Sequence, residues 1–212
     1  MLNSFKNVLV LAPHTDDGEL GAGGTIAKLI QNGANVDYVA FSTAQESVPK
    51  HLPQDILSKE VRLATGVLGL SQENLTILDY PVRKLNFARQ ELLEDLIKIR
   101  KSKDYDLVLT PSLSDVHQDH ATVAQEGVRA FKSTSILGYE LIWNNLSFDA
   151  TCFVDLDKKL VALKYEALQC YESQAGRPYM SQEFIHSLAK VRGVQIGCDY
   201  AECFEVIRWV MK

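Results

Sequence analysis

Within four consecutive positions, His14, Thr15, Asp16 and Asp17, the chain places one imidazole and two adjacent carboxylates. Adjacent acids repel each other, and burying both is costly unless a cation or hydrogen-bond donors compensate. A divalent metal is the simplest compensation. A second concentration, Asp115 to His120, adds the imidazoles of His117 and His120 and the carboxylates of Asp115 and Asp119. The chain has five histidines, and three of them fall in these two segments. Taken alone, the first segment reads equally as an ordinary strand-to-helix turn in which Thr15, Asp16 or Asp17 caps the next helix. The second cluster shifts the balance toward a metal.

Both clusters follow apolar runs. Residues 8–12 read as a fully buried strand that stops at Pro13, and residues 107–109, followed by Thr110 and Pro111, read as another. The carboxyl ends of strands are where open α/β sheets put their chemistry. After the first cluster, residues 20–31 have helical spacing and stop at Asn32-Gly33. The pattern then predicts strands over 36–41 and 75–78 and helices over 54–68 and 87–101. Beyond the second cluster it predicts helices over 121–131, 158–171 and 182–191, with strands over 136–142, 152–154 and 204–210. Such alternation implies a parallel sheet with helices on both faces, joined by right-handed crossovers. In the common 3-2-1-4 order, the first and fourth strands are neighbours, which brings His14 and His120 to one crevice. The segments 144–149 and 175–181 are the loops freest to contact a substrate.

A chain of 212 residues that is 46% hydrophobic can bury a substantial core and fits one α/β domain, residues 1–212. Its net charge of -5 argues against a protein that tracks nucleic-acid phosphates. The densest basic group, Lys98, Arg100, Lys101 and Lys103, falls at a helix end where cations complement the dipole. There is no apolar segment of membrane-spanning length, and the start of the chain lacks signal-peptide form. Cys152, Cys170, Cys198 and Cys203 show no Cys-x-x-Cys spacing, and read as reduced, mostly core-filling thiols of a cytoplasmic protein. Gly21, Gly23 and Gly24 invite a dinucleotide reading but lack the Gly-x-Gly-x-x-Gly spacing, and are assigned to close helix–sheet packing beneath the site.

The run from His14 to Thr25, with its Asp16-Asp17-Gly18-Glu19 and Gly21-Ala22-Gly23-Gly24, together with His117-Gln118-Asp119-His120, resembles the PIG-L/LmbE-like family of metal-dependent de-N-acetylases. That family's signatures run H-P-D-D-x-E-x-G-x-G-G-T and H-P-D-H. Glu60 to Ala64, Tyr171 to Gln174 and Tyr200 to Phe204 extend the resemblance over roughly the whole chain. Thr15 and Gln118 stand where the family usually has proline. The segment Leu57-Ser58-Lys59 lacks an arginine that some relatives carry there, and Asp115-Val116 replaces a tyrosine or arginine. These departures bear on the substrate and leave the metal chemistry untouched.

The resemblance implies a Rossmann-like three-layer sandwich with a mostly parallel central sheet. It implies His14, Asp17 and His120 as metal ligands and Asp16 as general base. His117 would be the partner of the oxyanion, acting as a protonated donor, and Asp119 the residue that orients a histidine, His117 being first choice, with a helix cap as its alternative role. Two nitrogens and one oxygen leave a coordination position for water, whose pKa a zinc ion lowers to about 7. Zinc is the expected ion, although Fe²⁺, Co²⁺ or Mn²⁺ could take the same ligands. The expected substrate is a small N-acetylated sugar, such as an N-acetylglucosamine conjugate, and a homo-oligomer is left open. A non-catalytic Rossmann-like module binding a nucleotide or sugar phosphate at residues 21–24 is the alternative, and hydrolysis of a different amide, as in a thiol-cofactor precursor, a third. His51 and His186 read as ordinary surface or interface residues.

Overall fold

The computed structural model describes residues 2–211. Seven strands, β1 (Asn7–His14), β2 (Asn35–Ser42), β3 (Leu75–Ile77), β4 (Leu107–Pro111), β5 (Ser135–Tyr139), β6 (Cys152–Leu156) and β7 (Tyr200–Arg208), form one sheet in the order β3-β2-β1-β4-β5-β7-β6. The first five pair in parallel. β7 runs antiparallel to both β5 and β6. The anticipated 3-2-1-4 order is present, with Val8 opposite Leu107 and Val10 opposite Leu109.

Side chains alternate across a strand, so β1 feeds two cores. Val8, Val10 and Ala12 join the helices α1 (Asp17–Gln31), α2 (Ile56–Val67), α5 (Lys158–Leu168) and α6 (Gln182–Ile196) on one face. Leu9 and Leu11 join α3 (Arg89–Ser102) and α4 (Gln118–Ala130) on the other. All five strand residues have no exposed surface, and burial of each leucine or valine side chain contributes about 1.5–3 kcal/mol. A sheet covered on both faces explains why β1 reads as a continuous apolar run.

α1 is bent at Ala22, whose φ of -143° and ψ of 15° lie outside the helix. The bend frees backbone donors in mid-helix, and Glu202 of β7 satisfies them: its carboxylate accepts from the N–H groups of Gly24 (3.0 Å) and Thr25 (2.7 Å). Lys164 of α5 closes the arrangement at 2.7 Å from the same carboxylate. The approach of α1 to the sheet needs small residues, as anticipated: a Cβ on Gly21 would meet the Tyr139 ring at 2.2 Å. Gly24 is crowded in the same way, by the Leu156 side chain at 2.6 Å, so both glycines serve close packing of α1 on the sheet.

Most element boundaries shift by a few residues from the sequence reading: α1 starts at Asp17 rather than 20, β5 stops at Tyr139 rather than 142, α5 stops at Leu168 rather than 171, and β7 spans Tyr200–Arg208 rather than 204–210. Two of the shifts have a local cause. α4 begins at Gln118 rather than 121, because His117 caps it through Nδ1, which accepts from the Asp119 N–H. α6 extends to Ile196 and ends at Gly197 in the left-handed region (φ 74°). The four cysteines are free thiols. Only Cys203 is fully buried, so the other three pack less deeply than anticipated. No helix among the described residues is long and apolar enough to cross a membrane.

Candidate active site

The turn after β1 and the start of α4 meet at the carboxyl end of the sheet. His14 Nδ1, Asp17 Oδ2 and His120 Nε2 form a nearly equilateral triangle: 3.1 Å from His14 to Asp17, 3.2 Å from His120 to Asp17 and 3.2 Å between the two imidazoles. A tetrahedral ion with bonds of about 2.0–2.1 Å holds neighbouring donors about 3.3 Å apart, so this donor set fits such an ion. His117 also faces the group: one donor atom from each of His14, His117 and His120 lies within 4.8 Å of the others.

The protonation balance points the same way. Burial opposes charge on His14, but the charge of Asp17 and hydrogen bonds to Asp119 and Asp17 raise it to about 9. His120 is raised to about 10, burial again being outweighed by Asp17 and Asp115. Burial works against an ionised Asp17, yet His120 and His14 hold its carboxyl well below the usual range. The carboxylates thus draw positive charge onto this spot, which a divalent ion would bring without protons.

Each ring's second nitrogen is fixed by an acid. His14 Nε2 lies 3.0 Å from Asp119 Oδ2, and His120 Nδ1 lies 2.7 Å from Asp115 Oδ2. Such partners set the tautomer and the ring orientation. Asp119 therefore orients His14 and not His117; its own N–H, rather than its carboxylate, meets His117. Nor does its side chain act as the helix cap, a role taken by the His117 ring. Asp115 belonged to the cluster but had no role assigned from sequence.

His117 also departs from the reading of a protonated donor. Burial, then the charges of His120 and His14, lower its pKa. With Nδ1 accepting from Asp119, the neutral ring carries its proton on Nε2 and is a donor without being charged. It stacks on His120 with centroids 4.4 Å apart.

Asp16 precedes α1 but its side chain makes no cap hydrogen bond. Burial, and next the charge of Asp17, push its carboxyl up to about 6. The turn that presents it is held from behind: the Thr15 carbonyl accepts from the hydroxyls of Tyr38 (3.0 Å) and Tyr171 (2.7 Å). Both hydroxyls also meet buried Glu19, which burial pushes up to about 8. The Thr15 hydroxyl itself is buried without a partner, where the family pattern has a proline.

His14, Asp16, Asp17, His117 and His120 open onto a cleft of about 310 Å³. The loops anticipated as substrate-facing supply Asn144, Arg177 and Tyr179, with Trp143 and Gln174 just outside the anticipated limits. The loop after β3 supplies Val82 and Arg83, which sequence reasoning missed; its position at a carboxyl strand end was the available signal. Arg83 is left-handed (φ 64°), a conformation that costs a non-glycine residue about 1–2 kcal/mol. The Asp119 carboxylate over-determines it by accepting from the N–H groups of Arg83 (2.6 Å) and Leu85 (3.2 Å). The wall carrying Gln174, Arg177 and Tyr179 is rooted in buried Glu60, which accepts from the Ser173 N–H (2.9 Å) and hydroxyl (2.5 Å). Loss of hydrogen bonds to a buried carboxylate costs about 1.5–3 kcal/mol each. Glu60→Ala should therefore lower the melting temperature and speed amide hydrogen exchange over residues 172–180 specifically. Uniform exchange across the chain would show that Glu60 supports the core rather than this wall. His51 and His186 lie outside the cleft lining.

Residues 9–131 match the family described as PIG-L, GlcNAc-PI de-N-acetylase. The chain belongs to the PIG-L family. It is 30% identical over 175 residues to an Escherichia coli protein described as uncharacterized deacetylase YaiS, covering 81% of this chain and 93% of the relative. It is 27% identical over 225 residues to the diacetylchitobiose deacetylase of Thermococcus kodakarensis, covering 94% and 82%. Among solved structures, the N,N'-diacetylchitobiose deacetylase of Pyrococcus horikoshii superposes with a TM-score of 0.83 at 24% identity, covering 97% of this chain and 85% of that one. The PIG-L membership places the two clusters read from sequence in a family whose other members include named deacetylases.

Proposed function

We propose that this PIG-L protein, as one domain spanning residues 1–212, is a metal-dependent hydrolase that removes acetyl from an N-acetylated amino sugar or sugar conjugate, giving acetate and a free amine. The triangle of His14 Nδ1, Asp17 Oδ2 and His120 Nε2 carries the reading. Family membership and similarity to diacetylchitobiose deacetylases support the substrate class. His14, Asp17 and His120 would hold the ion, for which zinc is the choice and Fe²⁺, Co²⁺ or Mn²⁺ are alternatives. When bound, it supplies a nucleophilic water at neutral pH and polarises the amide carbonyl.

Asp16 takes a proton from the attacking water and returns one to the leaving amine. Its carboxylate does not cap α1, and it adjoins Asp17 without being a corner of the triangle. His117 donates from Nε2 to the oxyanion as it develops, while Asp119 N–H holds its Nδ1. Asp119 and Asp115 keep His14 and His120 aimed inward.

The deciding experiment is a panel of N-acetylated sugars, sugar nucleotides and glycosides, assayed for acetate and amine release with and without chelator. Equal release of both products, abolished by chelation and restored by zinc, is expected. Tightly held nucleotide in a protein without transition metal would sink the proposal in favour of a binding module. Asp115→Asn should weaken metal affinity about 10- to 100-fold, read by competition with a chelating dye. Unchanged affinity would reduce Asp115 to an anchor of the His117 backbone, which it also accepts from at 2.8 Å.

A further inference from the structure

The stretch that presents Asp16 is fixed from outside rather than by its own side chains. Asp16 makes no cap hydrogen bond, and Thr15 is 1% exposed with a hydroxyl that meets no partner. Threonine leaves φ free where proline would lock it. His14 ends β1 and is extended, as the residue before a proline must be. The position could therefore carry that ring, and the chain forgoes the restraint.

In its place stand two phenols from distant elements. Tyr38 of β2 and Tyr171, beyond the end of α5, both donate to the Thr15 carbonyl, at 3.0 and 2.7 Å. They occupy both lone pairs of one oxygen, and Glu19 bridges the two hydroxyls. The Gly18 N–H meets the Tyr38 oxygen at 3.2 Å. A Cβ on Gly18 would lie 2.5 Å from the Tyr38 ring, so the residue after Asp17 is kept small for this phenol to reach the turn. Tyr38 and Tyr171 are 0% and 2% exposed, and burying a hydroxyl is costly unless its hydrogen bond is made. Two such hydroxyls directed at a single main-chain oxygen mark the orientation of that peptide as what the pair serves. The peptide is the one that joins Thr15 to Asp16.

We infer that Tyr38 and Tyr171 form a clamp that sets the direction of the Thr15–Asp16 peptide, and with it the aim of the Asp16 carboxylate at the donor triangle. The clamp does for this turn what a proline ring at 15 would do. On the deacetylase reading, on which this rests, both are positioning residues, since neither is among the described residues that line the cleft. Tyr171 leads directly into Ser173 and Gln174, so the clamp also ties the turn to the cleft wall.

The test is a double-mutant cycle on the zinc-loaded full chain. Tyr38→Phe and Tyr171→Phe are each made in the unaltered and in the Thr15→Pro background. They are read by acetate release from the fastest substrate of the sugar panel and by hydrogen exchange at the amides of residues 16–18. In the unaltered background each lost hydroxyl should lower kcat about tenfold, with KM and zinc content within about twofold, and should speed exchange at residues 16–18 about tenfold. In the Thr15→Pro background both effects should shrink to about threefold or less. Unchanged kcat in both phenylalanine variants, losses of the same size in the two backgrounds, or exchange that quickens evenly along the chain would overturn the clamp. A Thr15→Pro chain that fails to fold would do the same. Coupling seen in exchange, with no acetate released from any sugar even by unaltered protein, keeps the clamp and rejects the deacetylase; acetate release with uncoupled losses does the reverse.

Discussion

Asp16→Asn protein should fold, retain its metal and turn over about 10²–10⁴-fold more slowly, the range for loss of a positioned proton-transfer group. The substitution is nearly isosteric, and the structure gives the carboxylate no architectural task. It stands before α1 without capping it, and the turn is held through Thr15 and Glu19 instead. A fall in turnover with unchanged melting temperature and unchanged metal content is therefore the specific signature. If turnover survives, Asp16 has no part in proton transfer, and the leftover acid beside the triangle needs another explanation.

His117→Ala should lower turnover about 10²–10³-fold through loss of the oxyanion donor. The same change removes the α4 cap, which costs about 0.5–2 kcal/mol of stability. The two consequences separate in His117→Asn. Asparagine is a good helix cap, so stability should return, whereas its shorter amide does not reach where the imidazole Nε2 reaches, so turnover should stay low. Recovery of both together would assign His117 to architecture alone.

The sheet order and both acid–imidazole clusters were legible because they rest on local signals: a buried apolar run ending at a proline, and rare residue types concentrated at strand ends. The partners within the site were less legible. Asp119 lies in the same tetrapeptide as His117 but bonds His14, because placing His117 as cap turns the first residues of α4 so that Asp119 faces the other strand end. No spacing rule separates those outcomes, since two elements distant in sequence decide them. The lowered pKa of His117 was illegible for the same reason: burial and two neighbouring imidazoles, His120 stacked on it and His14 edge-on, are properties of the assembled crevice. Arg83 was overlooked because a left-handed arginine has no compositional signature. The glycines at 21–24 were legible as packing residues, since their spacing already failed the dinucleotide pattern, and Tyr139 and Leu156 pack against Gly21 and Gly24.

The bent first helix has a consequence for how the chain folds. The two amides left open by the interruption are met by Glu202, which lies 178 and 177 positions further along the sequence. Contacts of such long range form slowly. Docking of β7 against α1 is then the step that steadies the helix carrying Asp17.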